Sequence, residues 1–259
     1  MWSQHAAIVN QKRGLEALKR FLAFLALAFG IGVTTGGMAA QQAAVKTRHA
    51  ARVAALAPGE QIVNLDTVKD RLKQYHDCTR GCYTRDLDLQ ADRAVAFLRQ
   101  RLAHRGDQEK PALVLDIDET TLTNYPEMLK GGFAYDPNVF NAWVESGAAT
   151  AIPGTLRIYQ EAQKLGVSVF FLTGRPESQR AATERNLRSQ GFENWQELIL
   201  RAPAQASLTA LEYKSSARAV IEAHGYRIVL NVGDQWSDLR GKPEAELSVK
   251  YPDPYYSLK

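Results

Sequence analysis

Pro111-Ala-Leu-Val-Leu-Asp-Ile-Asp-Glu-Thr120 joins a short apolar run to a cluster of acidic and hydroxyl side chains. A run of this length that is apolar on both faces is typical of a central strand in a parallel sheet. Two later stretches repeat the arrangement, because Val167–Leu172 leads into Thr-Gly-Arg at 173–175 and Arg227–Val232 leads into Gly-Asp at 233–234. The sequence therefore predicts three strands that each end in polar residues.

Helical segments separate these strands. We predict helices over Pro153–Leu165, Glu177–Gln190 and Ser215–His224, each followed by a glycine, the residue that most often ends a helix. Glu197–Arg201 is a fourth candidate strand, and Asp86–Leu102 has the periodicity of an amphipathic helix. Strands that alternate with helices predict an α/β fold, here a three-layer parallel sheet with an N-terminal helical extension.

The composition divides the 259 residues into segments. Residues 1–40 carry basic residues, then an unbroken apolar run, then small residues, which is the order of a secretory signal peptide. An uncleaved membrane anchor is the alternative. We expect cleavage after Ala39, no membrane span in the mature chain, and export to the periplasm or the medium. Residues 41–60 predict a linker, and residues 61–259 predict one domain.

The net charge argues against a nucleic-acid polymer as partner. Four basic residues and one acidic residue in positions 1–40 account for +3 of the total charge of +4, so the rest of the chain carries only +1. A nucleic-acid-binding face needs clustered positive charge. No Gly-x-Gly-x-x-Gly follows a predicted strand, which disfavours a dinucleotide-binding enzyme.

Two further segments stand out. About fifty residues separate the first two strands. The part from about 124 to 152 is rich in Gly, Pro and aromatic residues, which predicts a small cap inserted at the end of the sheet.

The sequence is compatible with two states of Cys78 and Cys82, a disulfide or two unpaired thiols. An oxidising compartment favours the disulfide, but the spacing leaves both states open.

The polar residues after the strands predict a site for phosphoryl transfer. The carboxyl ends of parallel strands meet at one edge of the sheet, where ligands bind. Carboxylates gathered there repel one another and need a cation, and oxygen ligands favour Mg²⁺. A carboxylate beside such an ion can attack phosphorus, while a second acid serves as general acid and base. Asp116 and Asp118 suit these two tasks, and Thr173 and Lys214 can stabilise phosphoryl oxygens.

The polar clusters together resemble the four motifs of the haloacid-dehalogenase-like (HAD) superfamily. They are Asp116-Ile-Asp-Glu-Thr120, Thr173-Gly-Arg175, Lys214, and Gly233-Asp-Gln-Trp-Ser-Asp238. Leu115–Thr120, Phe140–Glu145 and Tyr251–Tyr256 also resemble the acid phosphatases grouped with bacterial class C enzymes and plant vegetative storage proteins. The resemblance covers residues 62–259 and implies a HAD-like fold. Many class C relatives are lipoproteins, but no Cys lies at the predicted cleavage site here.

The resemblance implies a role for each motif residue. Asp116 is expected to be the nucleophile and a Mg²⁺ ligand, and Asp118 the general acid and base that offers its backbone carbonyl to the metal. Thr173 is expected to hold a phosphoryl oxygen and Lys214 to neutralise the nucleophile and the phosphate. Asp234 and Asp238 are candidate metal ligands, and Arg175 is expected either to contact phosphate or to brace the loop. Phe133 and Trp143 are candidates for stacking on the leaving group.

These features predict a Mg²⁺-dependent acid phosphatase that hydrolyses small phosphomonoesters through an aspartyl-phosphate. Nucleotides are one candidate substrate class, and the sequence makes no prediction about oligomeric state. A phosphotransferase on the same scaffold is one alternative. A catalytically weak storage or binding protein is the other, because some plant relatives lack the nucleophilic Asp that this chain retains at position 116.

Overall fold

The computed structural model describes residues 63–79 and 81–258. The predicted signal peptide and linker therefore lie outside the described residues. Within the described part, no helix combines the length and the apolar character needed to cross a bilayer.

Seven strands and eight α-helices make up the described chain. The strands are β1 (Pro111–Leu115), β2 (Leu122–Thr123), β3 (Thr150–Ala151), β4 (Ser168–Pro176), β5 (Glu197–Arg201), β6 (Arg227–Gly233) and β7 (Leu247–Lys250). The helices are α1 (Leu65–Asp77), α2 (Cys82–Leu102), α3 (Tyr125–Lys130), α4 (Pro137–Ser146), α5 (Pro153–Lys164), α6 (Arg180–Ser189), α7 (Ala210–Ala223) and α8 (Trp236–Leu239).

Five of the strands form one parallel sheet in the order β5-β4-β1-β6-β7. The first strand of the described residues, β1, is thus the middle strand of the sheet, and all five of its residues are buried. Leu113 and Leu115 face one layer, which contains α2 and α5. Ala112 and Val114 face the other layer, which contains α7. The predicted three-layer α/β fold is confirmed, and the burial on both faces explains the continuous apolar runs.

Several bounds differ from the prediction. Helix α7 begins at Ala210, five residues before the predicted start, because Thr209 and Glu212 form a capping box in which the Thr209 hydroxyl accepts a hydrogen bond from the Glu212 amide. Glu177–Gln190 is a short 3₁₀ turn followed by α6 rather than one helix. Strand β4 continues four residues beyond Leu172, and β7 was not predicted.

The segment predicted as a cap consists of α3 and α4 and is closed at its base by the antiparallel pair β2 and β3. Helix α4 begins after Asp136, whose carboxylate accepts a hydrogen bond from the Asn138 amide at 2.8 Å. It ends at Gly147, which has a φ of 64°. The hairpin joins the two ends of the segment directly after the first motif, so the cap residues are held beside that motif.

The helical extension before the sheet contains the two cysteines. Cys78 and Cys82 form a disulfide with a Cα–Cα distance of 5.8 Å at the junction of α1 and α2, which answers the question that the sequence left open. Helix α2 begins at Cys82, four residues before the predicted start, and places Leu87 and Leu98 in the core against the sheet.

Candidate active site

The first motif follows β1 in a tight local turn. The amides of Thr121 and Leu122 donate to the carbonyl of Ile117 at 2.8 and 2.9 Å, so the chain reverses immediately after the strand. The Thr121 hydroxyl donates to the carbonyl of Asp116 at 2.5 Å. Glu119 takes a φ of 55°, a left-handed conformation that is uncommon for a non-glycine residue. The turn holds Asp116 at the carboxyl end of the central strand.

Lys214 joins two carboxylates from different parts of the chain. Its Nζ lies 2.5 Å from Oδ1 of Asp116 and 2.5 Å from Oδ1 of Asp238. All three side chains are buried. Burial opposes the charged form of Lys214, but Asp116 and Asp238 outweigh it, so the pKa of Lys214 is raised. The lysine therefore stays charged and offsets part of the negative charge in the site.

Three carboxylates form a cluster that suits a divalent metal ion. Asp116, Asp234 and Asp238 each offer one oxygen, and these oxygens lie within 4.8 Å of one another. The Thr120 hydroxyl donates to Oδ1 of Asp234 at 3.2 Å, and Nε2 of Gln235 donates to its Oδ2 at 2.6 Å. An oxygen-only set of this kind fits a hard divalent cation, of which Mg²⁺ is the one expected beside phosphate.

Gly233 makes room for this cluster. A Cβ atom at position 233 would overlap the Asp238 side chain, so no other residue fits without moving that carboxylate. Oδ2 of Asp238 accepts a hydrogen bond from the Gln235 amide at 2.8 Å, which fixes the side chain in place. The glycine of the fourth motif is thus required by packing against Asp238, a candidate metal ligand.

Asp118 differs from the other three carboxylates, because its side chain faces Arg175 rather than the cluster. Nη2 of Arg175 donates to Oδ1 of Asp118 at 2.7 Å, and Nε lies 3.2 Å from both oxygens. Burial raises the pKa of Asp118, but Arg175 outweighs it, so the pKa is lowered. The four predicted carboxylates therefore separate into a group of three and an ion pair, which leaves the backbone carbonyl of Asp118 as its expected contact with metal.

The remaining predicted residues lie around these two groups. Thr173 is fully buried, and its hydroxyl accepts a hydrogen bond from the Arg175 amide at 3.1 Å. Arg175 also donates to the Thr183 hydroxyl at 3.2 Å, so it braces the loop as well as Asp118. Phe133 stacks on Tyr255 with centroids 5.8 Å apart. Trp143 is half-buried, and its indole Nε1 donates a hydrogen bond to the Asn124 side chain. Stacking on a leaving group stays a prediction for Phe133 and Trp143.

Several residues near the site were not predicted from the sequence. Gln235 donates from one amide nitrogen to Asp234 and, at 2.7 Å, to Asp253, while its carbonyl accepts from the Leu258 amide at 3.0 Å. Glu119 is buried, and burial together with the neighbouring Asp118 raises its pKa to about 8. Gln235 directly follows Asp234, but neither its residue type nor its spacing distinguishes a buried glutamine near the site from an exposed one on the surface.

The buried carboxylates predict a pH-dependent stability when metal is removed. Burial, assisted by Asp238 and Asp118 and opposed by Lys214, raises the pKa of Asp116 to about 7, and burial raises the pKa of Asp234 as well. When folding raises the pKa of a carboxyl group, the protonated group stabilises the folded state. This stabilisation is fully present below the pKa of Asp in the unfolded chain, near 4, and is lost as pH rises through about 7. In EDTA, we expect a lower thermal midpoint at pH 8 than at pH 5.5, by several degrees.

This difference should shrink when Mg²⁺ replaces EDTA, because the cation stabilises the ionised carboxylates. Differential scanning fluorimetry at the two pH values, with EDTA and with Mg²⁺, measures it. An unchanged difference would mean that no cation binds to this cluster.

Comparison with known proteins identifies relatives across most of the chain. Residues 35–259 match the family described as HAD superfamily, subfamily IIIB (Acid phosphatase). The chain is 40% identical over 179 residues to acid phosphatase 1 of Solanum lycopersicum, which is 68% of this chain and 69% of the tomato protein. It is 32% identical over 202 residues to vegetative storage protein 1 of Arabidopsis thaliana, which is 75% of this chain and 73% of that protein.

Solved structures share the fold. The class C acid phosphatase from Bacillus anthracis superimposes with a TM-score of 0.61 at 24% identity, covering 75% of this chain and 87% of the other. A structure of the same class C enzyme with tungstate bound gives the same TM-score. At this identity the likeness concerns the fold alone.

Proposed function

The chain belongs to subfamily IIIB of the HAD superfamily, the acid phosphatases, and from this premise we propose that it hydrolyses small phosphomonoesters by transferring the phosphoryl group to Asp116. The observation that carries the proposal is the cluster of Asp116, Asp234 and Asp238, which Lys214 joins at the carboxyl edge of the sheet. Asp118 lies two residues from the nucleophile.

Asp116 is the proposed nucleophile. Lys214 holds Oδ1, which leaves Oδ2 to attack phosphorus as the ester oxygen departs. Asp116, Asp234, Asp238 and the carbonyl of Asp118 are the proposed holders of Mg²⁺, which neutralises charge on the phosphoryl oxygens when bound. Thr173 donates its hydroxyl to one phosphoryl oxygen, and Lys214 contributes a positive charge that also offsets the nucleophile.

Asp118 is the proposed general acid and base. Arg175 keeps it ionised before substrate binds, so we propose that it receives a proton from the substrate itself. A phosphomonoester carries one proton on its phosphate below about pH 6. Asp118 passes that proton to the leaving oxygen as the P–O bond breaks. It then removes a proton from the water that attacks the aspartyl-phosphate, which breaks the bond between phosphorus and Asp116. That proton leaves with the phosphate, so Asp116 and Asp118 both return to their ionised forms.

Export and substrate class extend the proposal. We propose that residues 1–40 direct the chain to the periplasm or the medium, where it releases phosphate from small monoesters, nucleotides among them. Nothing in the charge balance favours a polymeric nucleic acid as substrate.

Hydrolysis of p-nitrophenyl phosphate tests the proposal. We expect turnover from mildly acidic to neutral pH with Mg²⁺. In EDTA we expect the rate to fall by at least about 10²-fold, because the phosphoryl charge then lacks its cation. An added alcohol should not take up the phosphoryl group in place of water. Full activity after chelation would contradict the metal assignment. No turnover on any monoester, nucleotides included, would favour a storage or binding protein.

A further inference from the structure

We infer that Asn124 and Trp143 are positioning residues that orient the carboxylate of Asp118, so that the cap segment takes part in proton transfer to the leaving group. The inference rests on the proposed function, because it assigns Asp118 the general-acid role. Neither residue needs to touch the substrate for this task.

Asn124 connects the two acids of the first motif. Its Nδ2 donates to Oδ1 of Asp118 at 2.9 Å and to Oε2 of Glu119 at 2.9 Å. Its backbone amide donates to Oε1 of Glu119 at 2.5 Å. The side chain is buried, with 1% of the residue exposed. Asn124 therefore holds the side chains of both acids, one of them the proposed proton carrier.

Trp143 holds the Asn124 amide from the side opposite the acids. The indole Nε1 donates to Oδ1 of Asn124 at 2.8 Å. An indole nitrogen is a donor only, so its partner must be the amide oxygen, and the amide nitrogen faces the two acids. Without the indole, the buried Oδ1 loses this donor, so the amide shifts to find another partner and its bond to Asp118 is disturbed. The tryptophan thus fixes the amide in the position from which it holds Asp118.

The hydrogen bonds distinguish the two oxygens of Asp118. Oδ1 accepts from both Arg175 Nη2 at 2.7 Å and Asn124 Nδ2 at 2.9 Å. In the described part of the chain, Oδ2 accepts only from Nε of Arg175, at 3.2 Å. Arg175 and Asn124 approach from different elements and together fix the plane of the carboxylate. Oδ2 is therefore the oxygen presented for exchange with the leaving group.

The indole has a fixed support of its own. Trp143 lies on α4 and packs against the main core. Two bonds hold α4 to α6 and to the 3₁₀ turn before it: Nε2 of Gln179 donates to Oδ1 of Asn141 at 2.9 Å, and Arg185 donates to the carbonyl of Glu145 at 2.9 Å. A rigid helix is the support that a positioning residue needs, because small shifts at a catalytic group are costly.

The test compares substrates that differ in their need for a general acid. p-Nitrophenolate leaves readily without protonation, whereas an alkoxide does not. We expect Trp143→Phe, which keeps a ring but removes the N–H donor, to lower kcat/KM for an alkyl phosphate at least about tenfold more than kcat/KM for p-nitrophenyl phosphate. The quantity kcat/KM reports the transfer to Asp116, before the aspartyl-phosphate common to both substrates is hydrolysed. Asn124→Ala should give the same pattern with a larger ratio. KM should change by less than about threefold for both substrates, since phosphate binding is untouched.

Trp195→Phe is the matched control. Trp195 is half-buried against Phe171 and precedes β5, at the opposite end of that strand from the site. We expect it to leave the ratio of the two kcat/KM values at the wild-type value. Because the ratio is measured on one preparation, partial unfolding lowers both rates equally and does not imitate the expected result.

Two outcomes would overturn the inference. An equal loss for both substrates in Trp143→Phe and Asn124→Ala would assign these residues a purely structural role. A rise in KM confined to aryl phosphates would place the indole on the leaving group instead. Failure of the proposed function is a separate observation, because the wild type would then turn over neither substrate.

Discussion

Replacing Asp116 with Asn is expected to lower kcat by about 10⁴-fold or more while the protein stays folded. The amide keeps an oxygen for the bond from Lys214, which now joins Oδ1 at 2.5 Å, but it is a poor nucleophile. The amide also removes one negative charge from the cluster, in which Asp116 and the neighbouring carboxylates Asp238 and Asp234 repel one another. The thermal midpoint in EDTA should therefore equal or exceed that of the wild type.

The measurement is kcat on p-nitrophenyl phosphate with saturating Mg²⁺, beside thermal unfolding in EDTA. Asp107→Asn is the control, because Asp107 is exposed in the connection between α2 and β1. That variant should match the wild type in both assays. Residual turnover above about 1% in Asp116→Asn would assign the nucleophile to another group.

Replacing Lys214 with Met should cost both stability and activity. The change leaves Asp116 and Asp238 buried beside each other without the cation that now lies 2.5 Å from each. Removing one partner from a buried ion pair costs roughly 3–5 kcal/mol of unfolding free energy. Loss of the charge from the phosphoryl site should lower kcat by about 10³-fold.

Mg²⁺ should restore part of this stability, since it supplies charge to the same carboxylates. At a hundredfold excess over its Kd, a ligand adds about 2.7 kcal/mol to the unfolding free energy. We expect Mg²⁺ to raise the thermal midpoint more in Lys214→Met than in the wild type. Lys164→Met, at an exposed position on α5, should change neither quantity. A Lys214→Met protein as stable as the wild type in EDTA would contradict the ion-pair argument.

The sequence predicted most of the sheet but missed one of its two edge strands. The bounds of β1 were predicted correctly, because a strand buried between two helical layers is a continuous apolar run. The bounds of β5 also matched, although β5 is the other edge strand. Strand β7 lies at the edge of the sheet and pairs with β6 alone. Only one of its four residues is buried, so its sequence lacks the apolar run that marks a strand. The start of α7 is set by a capping box between Thr209 and Glu212, which apolar periodicity does not reveal.

The candidate site also contains residues that the sequence predicted and residues that it missed. Asp116 and Asp234 directly follow β1 and β6, and Thr173 lies in the last part of β4. The parallel sheet therefore brings these three residues to one edge. Asn124 and Gln235 act through side-chain bonds to residues that only the folded chain brings near, such as Asp253, eighteen positions after Gln235. No periodicity or spacing marks such pairs. The separation of Asp118 from the metal cluster likewise depends on where Arg175 points.

The position of β1 has a consequence for the order in which the molecule is made. Of the five strands in the parallel sheet, the one synthesised first, β1, is the middle strand, and its neighbour β6 is synthesised more than a hundred residues later. Asp116 therefore meets Lys214 and Asp238 only when most of the chain exists, and Gln235 meets Asp253 later still. Pairings so distant in sequence form slowly. The group of Asp116, Lys214 and Asp238 is therefore completed late in the synthesis of the chain, and a chain that ends before Asp238 lacks part of the candidate site.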